Sequence, residues 1–302
     1  MEASRINTSV AVPAGSVRVR QVVADYVALT KPKVQSLLLL TTVTTMYVAG
    51  DPSVGLVAAT CLGGYLSAGG AGAVNHWYDR DIDAQMARTA DRPVPSGRVA
   101  PAAALAFGIG LSALSFLWLS LTVNMLSAVL ALCGFLGYTV MYTAWLKRRT
   151  PQNIVIGGAA GAVPPLVGWA AVAGHVDPAA WYLFAIVFYW TPPHFWALSL
   201  LMKDEYARVG VPMMPVVRGE DETRRQIVLY TVLLVVLTLL PVAFGFFGAI
   251  YAAVAVPLGA AFLVLSVRLQ RIAERRAALR TYLFSLAYLA ALFVAMVADA
   301  RL

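Results

Sequence analysis

Charged residues are scarce in this sequence of 302 residues, of which only 13% are Asp, Glu, Lys or Arg. Soluble domains contain about 25% charged residues, so the composition argues against a water-soluble domain. Cysteine is also rare, and Cys61 and Cys133 both lie inside apolar stretches. A disulfide framework is therefore not expected, and the two thiols are interpreted as small packing residues. The segment 1–32 is polar and lacks the apolar run of a signal peptide, so it is expected to be a cytoplasmic segment that is partly mobile.

Hydrophobic residues make up 60% of the chain, and they are concentrated in long blocks. Nine blocks are each long enough to span a bilayer: 33–50, 54–74, 101–122, 124–145, 153–173, 180–200, 226–246, 248–267 and 280–299. Backbone groups in lipid need internal partners, and the alternation of barrel strands is absent, so the blocks are predicted to be helices. The expected fold class is an all-α polytopic membrane protein with nine transmembrane helices in one domain, 33–302.

The net charge of +8 is distributed in a regular way along the chain. If the N-terminus is inside, every Lys and Arg except Arg301 falls on the inside face, as the positive-inside rule requires. This placement explains the charge without a nucleic-acid partner. The expected location is a bacterial-type inner (plasma) membrane, in which the N-terminus and the polar loops 75–100 and 201–225 are cytoplasmic.

The loop 75–100 contains the first candidate site. Asn75, Asp79 and Asp83 are spaced by four residues, which places them on one face of a helix. Mg²⁺ takes such oxygen ligands and shares them with substrate phosphates, and Arg88 and Arg92 are suited to bidentate phosphate contacts. The spacing therefore predicts a site for a metal-bridged diphosphate, while Asp81 points away from it. The alternative is a charged loop at a membrane surface.

Two further polar groups lie at the same predicted membrane face. The loop 201–225 could supply more charge for the diphosphate, or it could be a solvated loop; its candidates are Lys203, Asp204, Tyr206 and Arg208. The end of the fourth block could contact phosphate, or its cations could be positive-inside anchors; its candidates are Tyr142, Lys147 and Arg148.

The sixth block contains an aromatic stretch, 189–196, with two prolines in its middle. Pro192 and Pro193 are expected to break the membrane helix, and such breaks are tolerated where protein or a cavity satisfies the backbone. His194 and Trp196 are therefore candidates to line a substrate cavity. His76 is the other histidine that could have this role. The alternative interpretation of His194 is a packed, hydrogen-bonded side chain with no role in substrate binding.

The chain resembles the UbiA superfamily of intramembrane prenyltransferases. Its Asn75-x-x-x-Asp79-x-x-x-Asp83 is similar to the first motif of the family. The segments 75–97, 142–169, 189–200 and 210–217 resemble the protoheme IX farnesyltransferase branch in particular. The second Asp-x-x-x-Asp motif of the wider superfamily is replaced by Lys-Asp-Glu-Tyr at 203–206, which puts a second metal on that loop in doubt.

The resemblance implies helices around a central cavity and transfer of a farnesyl group from farnesyl diphosphate to a vinyl group of protoheme IX, giving heme O. It implies Mg²⁺ on Asn75, Asp79 and Asp83, with Arg88, Arg92 and Lys147 neutralising the leaving diphosphate. The bilayer and a downstream heme A synthase are the other expected partners. The alternatives are a prenyltransferase for an aromatic quinone precursor and, in another class, a secondary transporter.

Overall fold

The protein is described by a computed structural model that covers residues 14–302, with side chains from residue 19 onward. In this part of the chain every regular element is a helix, which confirms the all-α class. In chain order the helices are α1 (Ala14–Leu29), α2 (Pro32–Ala49), α3 (Val54–Tyr78), α4 (Arg80–Asp83), α5 (Pro101–Thr122), α6 (Met125–Leu136) with a π-helical continuation (Gly137–Leu146), α7 (Asn153–Ala173), α8 (Pro178–Leu201), α9 (Lys203–Arg208), α10 (Met214–Val217), α11 (Glu220–Ala243), α12 (Ala249–Ile272) and α13 (Arg275–Arg301).

Seven helices of the described chain are long and apolar enough to cross a membrane: α3, α5, α6 with its continuation, α7, α11, α12 and α13. The other two predicted spans, 33–50 and 180–200, coincide with α2 and α8. These two helices fall outside the seven because Lys33 and Gln35 in α2, and tyrosine, tryptophan, histidine and proline residues in α8, lower their mean hydropathy. A multi-pass membrane protein is confirmed, whereas the count of nine spans stays a prediction.

Local sequence signals determine where several of these helices begin. Ser53, Asn124 and Asp177 precede α3, α6 and α8, and each side chain accepts a hydrogen bond from a backbone N–H of the first turn. Such caps satisfy N–H groups that have no partner within the helix. The three caps lie at the end of the bundle opposite to α4.

The break expected at Pro192 and Pro193 is wrong, because α8 runs continuously through both residues. Both prolines are buried between neighbouring helices. Packing of this kind allows a membrane helix to continue past prolines that would end a helix in water.

The long helices form a closed ring in which each packs on the next one along the chain and α13 returns to α2. The most extensive contacts between helices that are not neighbours in this ring join α2 to α7 and α8 to α13, and α3 also contacts α6 and α7. A cavity of about 200 Å³ lies between α2, α3, α6 and α7. The cavity is therefore lined by helices from one half of the ring.

The helix α1 lies outside this ring, against the loop that follows α4. Asp25 is buried and receives a hydrogen bond of 3.0 Å from Arg98, and the ring of Tyr26 packs on Phe107. The mobility expected near the N-terminus falls mostly on residues 1–13, which lie outside the described residues.

Candidate active site

Asn75, Asp79 and Asp83 form a row of polar side chains where α3 passes into α4; we call it the polar row. The N–H of Asp79 donates to the carbonyl of Asn75 at 2.9 Å, and the N–H of Asp83 donates to that of Asp79 at 2.8 Å. The α-helical pattern therefore crosses the junction and stacks the three side chains one turn apart, as their spacing predicts. They are almost completely buried, with exposed fractions of 3%, 1% and 3%.

Four cationic side chains contact the polar row: Lys31, Lys147 and Arg92 make the short contacts, one at each member, and Arg148 lies 3.4 Å from Asp79. Lys31 Nζ lies 2.5 Å from the amide oxygen of Asn75, and Lys147 Nζ lies 2.5 Å from a carboxylate oxygen of Asp79. The third cation, Arg92, donates to the carboxylate of the last member at 2.7 Å. Buried carboxylates are costly unless they are paired and hydrogen-bonded. The cations stabilise the row and gather positive charge on one side of it.

Lys31 is a functional candidate that the sequence interpretation missed. From sequence alone it is one positive-inside cation among many, and the site it joins is 44 residues away along the chain. Its backbone is left-handed, with φ of 53°, although it has a side chain. Burial, together with the nearby cations Arg92 and Lys147, lowers the pKa of its ammonium group to about 7. The fold therefore holds Lys31 at the site against both backbone preference and desolvation.

The π-helical continuation of α6 brings a second set of residues to the polar row. The N–H of Lys147 donates to the carbonyl of Tyr142, five residues earlier, at 2.8 Å. Thr143 accepts a hydrogen bond of 3.1 Å from the Asn75 amide. The ring of Tyr142 lies 5.5 Å from that of Tyr138, a residue that the sequence interpretation also missed. π-Helical segments are rare and are frequently found at functional sites, and this one spans ten residues, Gly137–Leu146.

Asp81 lies outside the polar row, as its spacing predicts. Its carboxylate accepts two hydrogen bonds from Arg148, at 2.7 and 2.6 Å. These hydrogen bonds lower the pKa of the Asp81 carboxyl. Arg148 also lies 3.4 Å from Asp79 and covers the ring of Tyr78 at 4.9 Å. The pair therefore holds a guanidinium at the edge of the site.

The loop between α8 and α11 contributes Tyr206 to the site. The Tyr206 side chain is buried, and its hydroxyl lies 3.5 Å from a guanidinium nitrogen of Arg88. Burial raises the pKa of the Tyr206 phenol, so the group is neutral and can donate a hydrogen bond.

Three other candidates in this loop are turned away from the polar row or exposed. Lys203 donates to Glu220 at the start of α11, at 3.0 Å. Asp204 and Arg208 are exposed on α9. The structure thus brings one of the four predicted loop residues to the polar row, and substrate binding by the others stays a prediction.

His194 lies in the contact between α8 and α13. Its Nδ1 is 2.7 Å from the hydroxyl of Ser285, and its ring stacks between Trp190 at 4.2 Å and Tyr282 at 4.9 Å. This is the packed, hydrogen-bonded arrangement that was the alternative interpretation of this residue. The hydrogen bond at Nδ1 leaves Nε2 as the nitrogen available to a ligand.

His76 and Trp196 are buried polar side chains with an unsatisfied group. The Nδ1 of His76 and the indole N–H of Trp196 have no hydrogen-bond partner among the described residues. His76 follows the first member of the polar row, and Trp196 packs edge-on against Tyr230 at 5.2 Å. Buried groups without a partner are uncommon, and a ligand is one explanation of them.

The donor atoms of the polar row fit a magnesium ion. No group of three His, Cys, Asp or Glu side chains converges among the described residues, but Asn75 adds an amide oxygen to the two carboxylates. This is an all-oxygen set with only two carboxylates, which is the usual protein contribution to Mg²⁺ that is shared with phosphates.

The sequence matches the model of the UbiA prenyltransferase family over residues 38–293. It is 55% identical over 283 residues to the protoheme IX farnesyltransferase of Symbiobacterium thermophilum, covering 92% of this chain and 95% of the relative. It is 56% identical over 282 residues to that of Chloroflexus aurantiacus, covering 93% of this chain and 48% of the relative. The chain thus spans about half the length of the Chloroflexus relative and nearly all of the Symbiobacterium relative.

Solved structures with low sequence identity share the fold. A digeranylgeranylglyceryl phosphate synthase structure has a TM-score of 0.75 and 18% identity, over 92% of this chain and 98% of its own. A UbiA homologue from Archaeoglobus fulgidus bound to DMAPP and Mg²⁺ has a TM-score of 0.68 and 17% identity, over 90% of this chain and 99% of its own. Sequence and fold agree, and the chain belongs to the UbiA prenyltransferase family, in its protoheme IX farnesyltransferase branch.

Proposed function

We propose that the protein transfers the farnesyl group of farnesyl diphosphate to a vinyl group of protoheme IX, giving heme O and diphosphate. The observation that carries this proposal is the buried polar row with a cation at each member. A diphosphate needs such a surface of oxygen ligands and guanidinium or ammonium donors. The 55% identity to a protoheme IX farnesyltransferase of nearly the same length supports the choice of substrates.

The diphosphate binds between the polar row and the surrounding cations. Asn75, Asp79 and Asp83 are the proposed Mg²⁺ ligands, and when bound the ion neutralises phosphate charge as a Lewis acid. Arg92 and Lys147, which now pair with the carboxylates, lie where they can turn to phosphate oxygens. The substrate thus replaces internal ion pairs with contacts of the same kind, so that few charges are left without a partner in the buried site.

The reaction begins as the bond between farnesyl C1 and the diphosphate oxygen stretches. Its electron pair leaves with the diphosphate, where Arg88, Arg92 and Lys147 stabilise the growing negative charge. Fixed donors aimed at developing charge usually supply the largest part of catalysis. The vinyl carbon of the heme forms the new bond to C1, and a water then adds to the resulting cation and loses a proton, which gives the hydroxyethylfarnesyl group.

Several other side chains are proposed to hold the substrates. Tyr142 and Tyr206 lie beside the polar row, and Arg148 is held at its edge by Asp81. The remaining proposed contacts come from α3, α8 and α9. They are His76 in α3, His194 and Trp196 in α8, and Lys203, Asp204 and Arg208 in α9. His194 is the first choice for contact with the heme. An unchanged heme spectrum and full activity in His194→Ala would contradict that role.

The proposed topology has nine spans, with α2 and α8 added to the seven that meet the length and hydropathy requirement. Both helices pack within the closed ring, and α8 contacts α7, α11 and α13. The positive-inside pattern supports a cytoplasmic N-terminus and cytoplasmic polar loops in a bacterial inner membrane. A heme A synthase that uses the product is the proposed downstream partner.

One assay separates this function from its alternatives. Membranes that contain the protein are given farnesyl diphosphate, Mg²⁺ and heme, and a hydrophobic heme product is detected by mass. Product from 4-hydroxybenzoate in place of heme would favour a quinone-precursor prenyltransferase. Absence of any consumption of the diphosphate would contradict prenyl transfer and leave the transporter alternative.

A further inference from the structure

Among the residues that the structure describes, the helix α1 is buried by the rest of the protein only near its end. Asp25 and Leu29 are buried, and the ring of Tyr26 lies 4.9 Å from that of Phe107 in α5. Along residues 19–24, by contrast, every side chain is exposed. This part of α1 therefore does not pack on any described part of the protein.

A helix of this length and composition is not stable in water by itself. Isolated helices of about 15 residues are marginal in water even when they are rich in alanine. The helix α1 has 16 residues, and five of them are valines. Because the branched side chain of valine lowers helix propensity, α1 needs a partner along its exposed part.

The exposed valines of α1 share one face of the helix, which we call the valine face. Between 46% and 66% of each residue is exposed, and the spacing i, i+3, i+4 and i+8 is that of an amphipathic helix: Val19, Val22, Val23 and Val27. The polar residues Gln21 and Asp25 lie on the other side, where Asp25 receives a hydrogen bond from Arg98 in the loop after α4. The polar side of α1 thus faces this loop, and the valine face points away from it.

Aromatic side chains place α1 at the level of the membrane boundary. Tyr26 and Trp77 belong to one apolar cluster that joins α1 to the adjacent ends of α3 and α5. Tyrosine and tryptophan are enriched where the membrane meets water. Phe107, the partner of Tyr26, lies six residues into α5, which is about 9 Å from the start of that spanning helix at a rise of about 1.5 Å per residue. The helix α1 therefore lies where headgroups meet acyl chains.

We propose that α1 is an interfacial helix whose valine face is inserted into the bilayer at the membrane face where the polar row lies. Amphipathic helices of this kind bury their apolar face about 5–10 Å into the boundary between headgroups and acyl chains. The bilayer is the favoured partner because α1 packs on α3 and α5, which are long and apolar enough to cross it. Arg20 is exposed on α1, and its long side chain can reach an anionic headgroup.

The inserted helix also holds a turn of the candidate site. It ends two residues before Lys31, whose N–H donates to the carbonyl of Ala28 at 3.2 Å. Thr30 between them is buried, and its hydroxyl lies 3.0 Å from that of Tyr65 in α3. Loss of the lipid contact therefore loosens the turn that presents Lys31. This consequence rests on the proposed prenyl transfer, whereas the insertion of α1 does not.

Spin labels on the full-length protein measure the insertion directly. The native Cys61 and Cys133 are replaced by alanine, and the protein is placed in nanodiscs of phosphatidylcholine and phosphatidylglycerol. A nitroxide is then attached to one of four single variants: Gln21→Cys, Val22→Cys, Val23→Cys and Ala24→Cys. Oxygen concentrates among acyl chains and a nickel chelate stays in water. Labels at 22 and 23 should therefore collide more often with oxygen, and labels at 21 and 24 with the chelate.

Each label on the valine face has a neighbour on the other side as its control. The same ratio of the two collision rates at all four positions would overturn the insertion. Labels at 22 and 23 that are shielded from both reagents would also overturn it, because a protein partner would then cover the valine face.

The transfer assay tests the link to Lys31. Val23→Asp should lower kcat/KM for farnesyl diphosphate by about ten-fold or more, since a small misplacement of a positioning group can cost up to about a hundred-fold. Ala24→Asp adds the same charge one residue away, on the other side of α1, and should leave kcat/KM unchanged. Equal activity of these two variants would overturn the link while the spin labels still decide the insertion. An inactive wild type would instead contradict the proposed function.

Discussion

The most informative single perturbation is Asp79→Asn, because it changes one charge in the middle of the polar row. The carboxylate of Asp79 is 1% exposed and its partner Lys147 is 13% exposed. Removal of one partner of a buried ion pair costs about 3–5 kcal/mol, since the other charge stays buried alone. The lower end, about 3 kcal/mol, is expected because the Asn amide oxygen can still accept a hydrogen bond. At about 2–4 °C per kcal/mol, the melting temperature should fall by about 6 °C or more.

The same substitution removes a proposed metal ligand, so farnesyl transfer should fall more than about a hundred-fold even in excess Mg²⁺. The double variant Asp79→Asn/Lys147→Met separates the two effects. A neutral buried pair is often as stable as the charged pair, so the melting temperature should recover to near that of the wild type while activity stays absent. Asp91→Asn is the control: it lies in the same loop with 98% of its side chain exposed, and neither property should change measurably.

Two results would refute this reasoning. Retained transfer activity in Asp79→Asn would show that the negative charge of Asp79 is not required for metal binding or catalysis. A double variant that melts no higher than the single one would show that the unpaired Lys147 is not the source of the destabilisation.

Three further predictions follow from the site. Chelation with EDTA should abolish transfer and added Mg²⁺ should restore it, measured as heme product by mass; activity that survives chelation would contradict the metal site. Arg92→Lys should lose more than about ten-fold in kcat/KM while its melting temperature stays close to wild type, because a lysine keeps the charge but not the bidentate donor geometry; equal activity would show that charge alone is required. Because Arg148 lowers the pKa of Asp81 in the folded state, their contribution to stability is present above the unfolded-state pKa near 4 and is lost as pH falls through the lowered pKa. At pH 6 the Asp81→Asn variant should therefore have a free energy of unfolding lower than that of the wild type by under about 1 kcal/mol, as for a partly exposed pair. This difference in stability, followed by thermal melting, should close towards pH 3; a difference that is independent of pH would contradict the prediction.

The polar row could be predicted from sequence because its members share one short helical stretch. Residues that are four apart in an α-helix lie on the same face, whatever the rest of the protein does. The same reasoning placed Asp81 outside the row, and its carboxylate is indeed taken by Arg148. Hydrophobic block lengths likewise predicted the all-helical membrane class, because lipid leaves the backbone few alternatives.

The partners of the row depend on tertiary structure, and sequence spacing does not contain them. Lys31 precedes α2, and nothing in its own neighbourhood distinguishes it from an anchoring cation. Lys147 follows the π-helical continuation of α6, and from sequence it was a candidate for phosphate contact with anchoring as the alternative. The π-helical continuation that presents Tyr142 and Thr143 was not predicted from the sequence, because the apolar block 124–145 was interpreted as one regular helix. The hydrogen bond of Lys203 is another contact that spacing does not contain: its ammonium group donates to Glu220 at the start of α11, and its predicted role in substrate binding stays a prediction.

The left-handed backbone of Lys31 affects how the protein can evolve, because it lowers stability at a residue of the candidate site. A residue with a Cβ loses about 1–2 kcal/mol of stability in this conformation, whereas glycine adopts it without that cost. Any selection for thermal tolerance alone would therefore favour replacing this lysine, and would remove the cation that contacts the first member of the polar row. Natural selection on activity must therefore maintain a residue at this turn that lowers stability. Variants that are stabilised in the laboratory should first be checked for loss of Lys31.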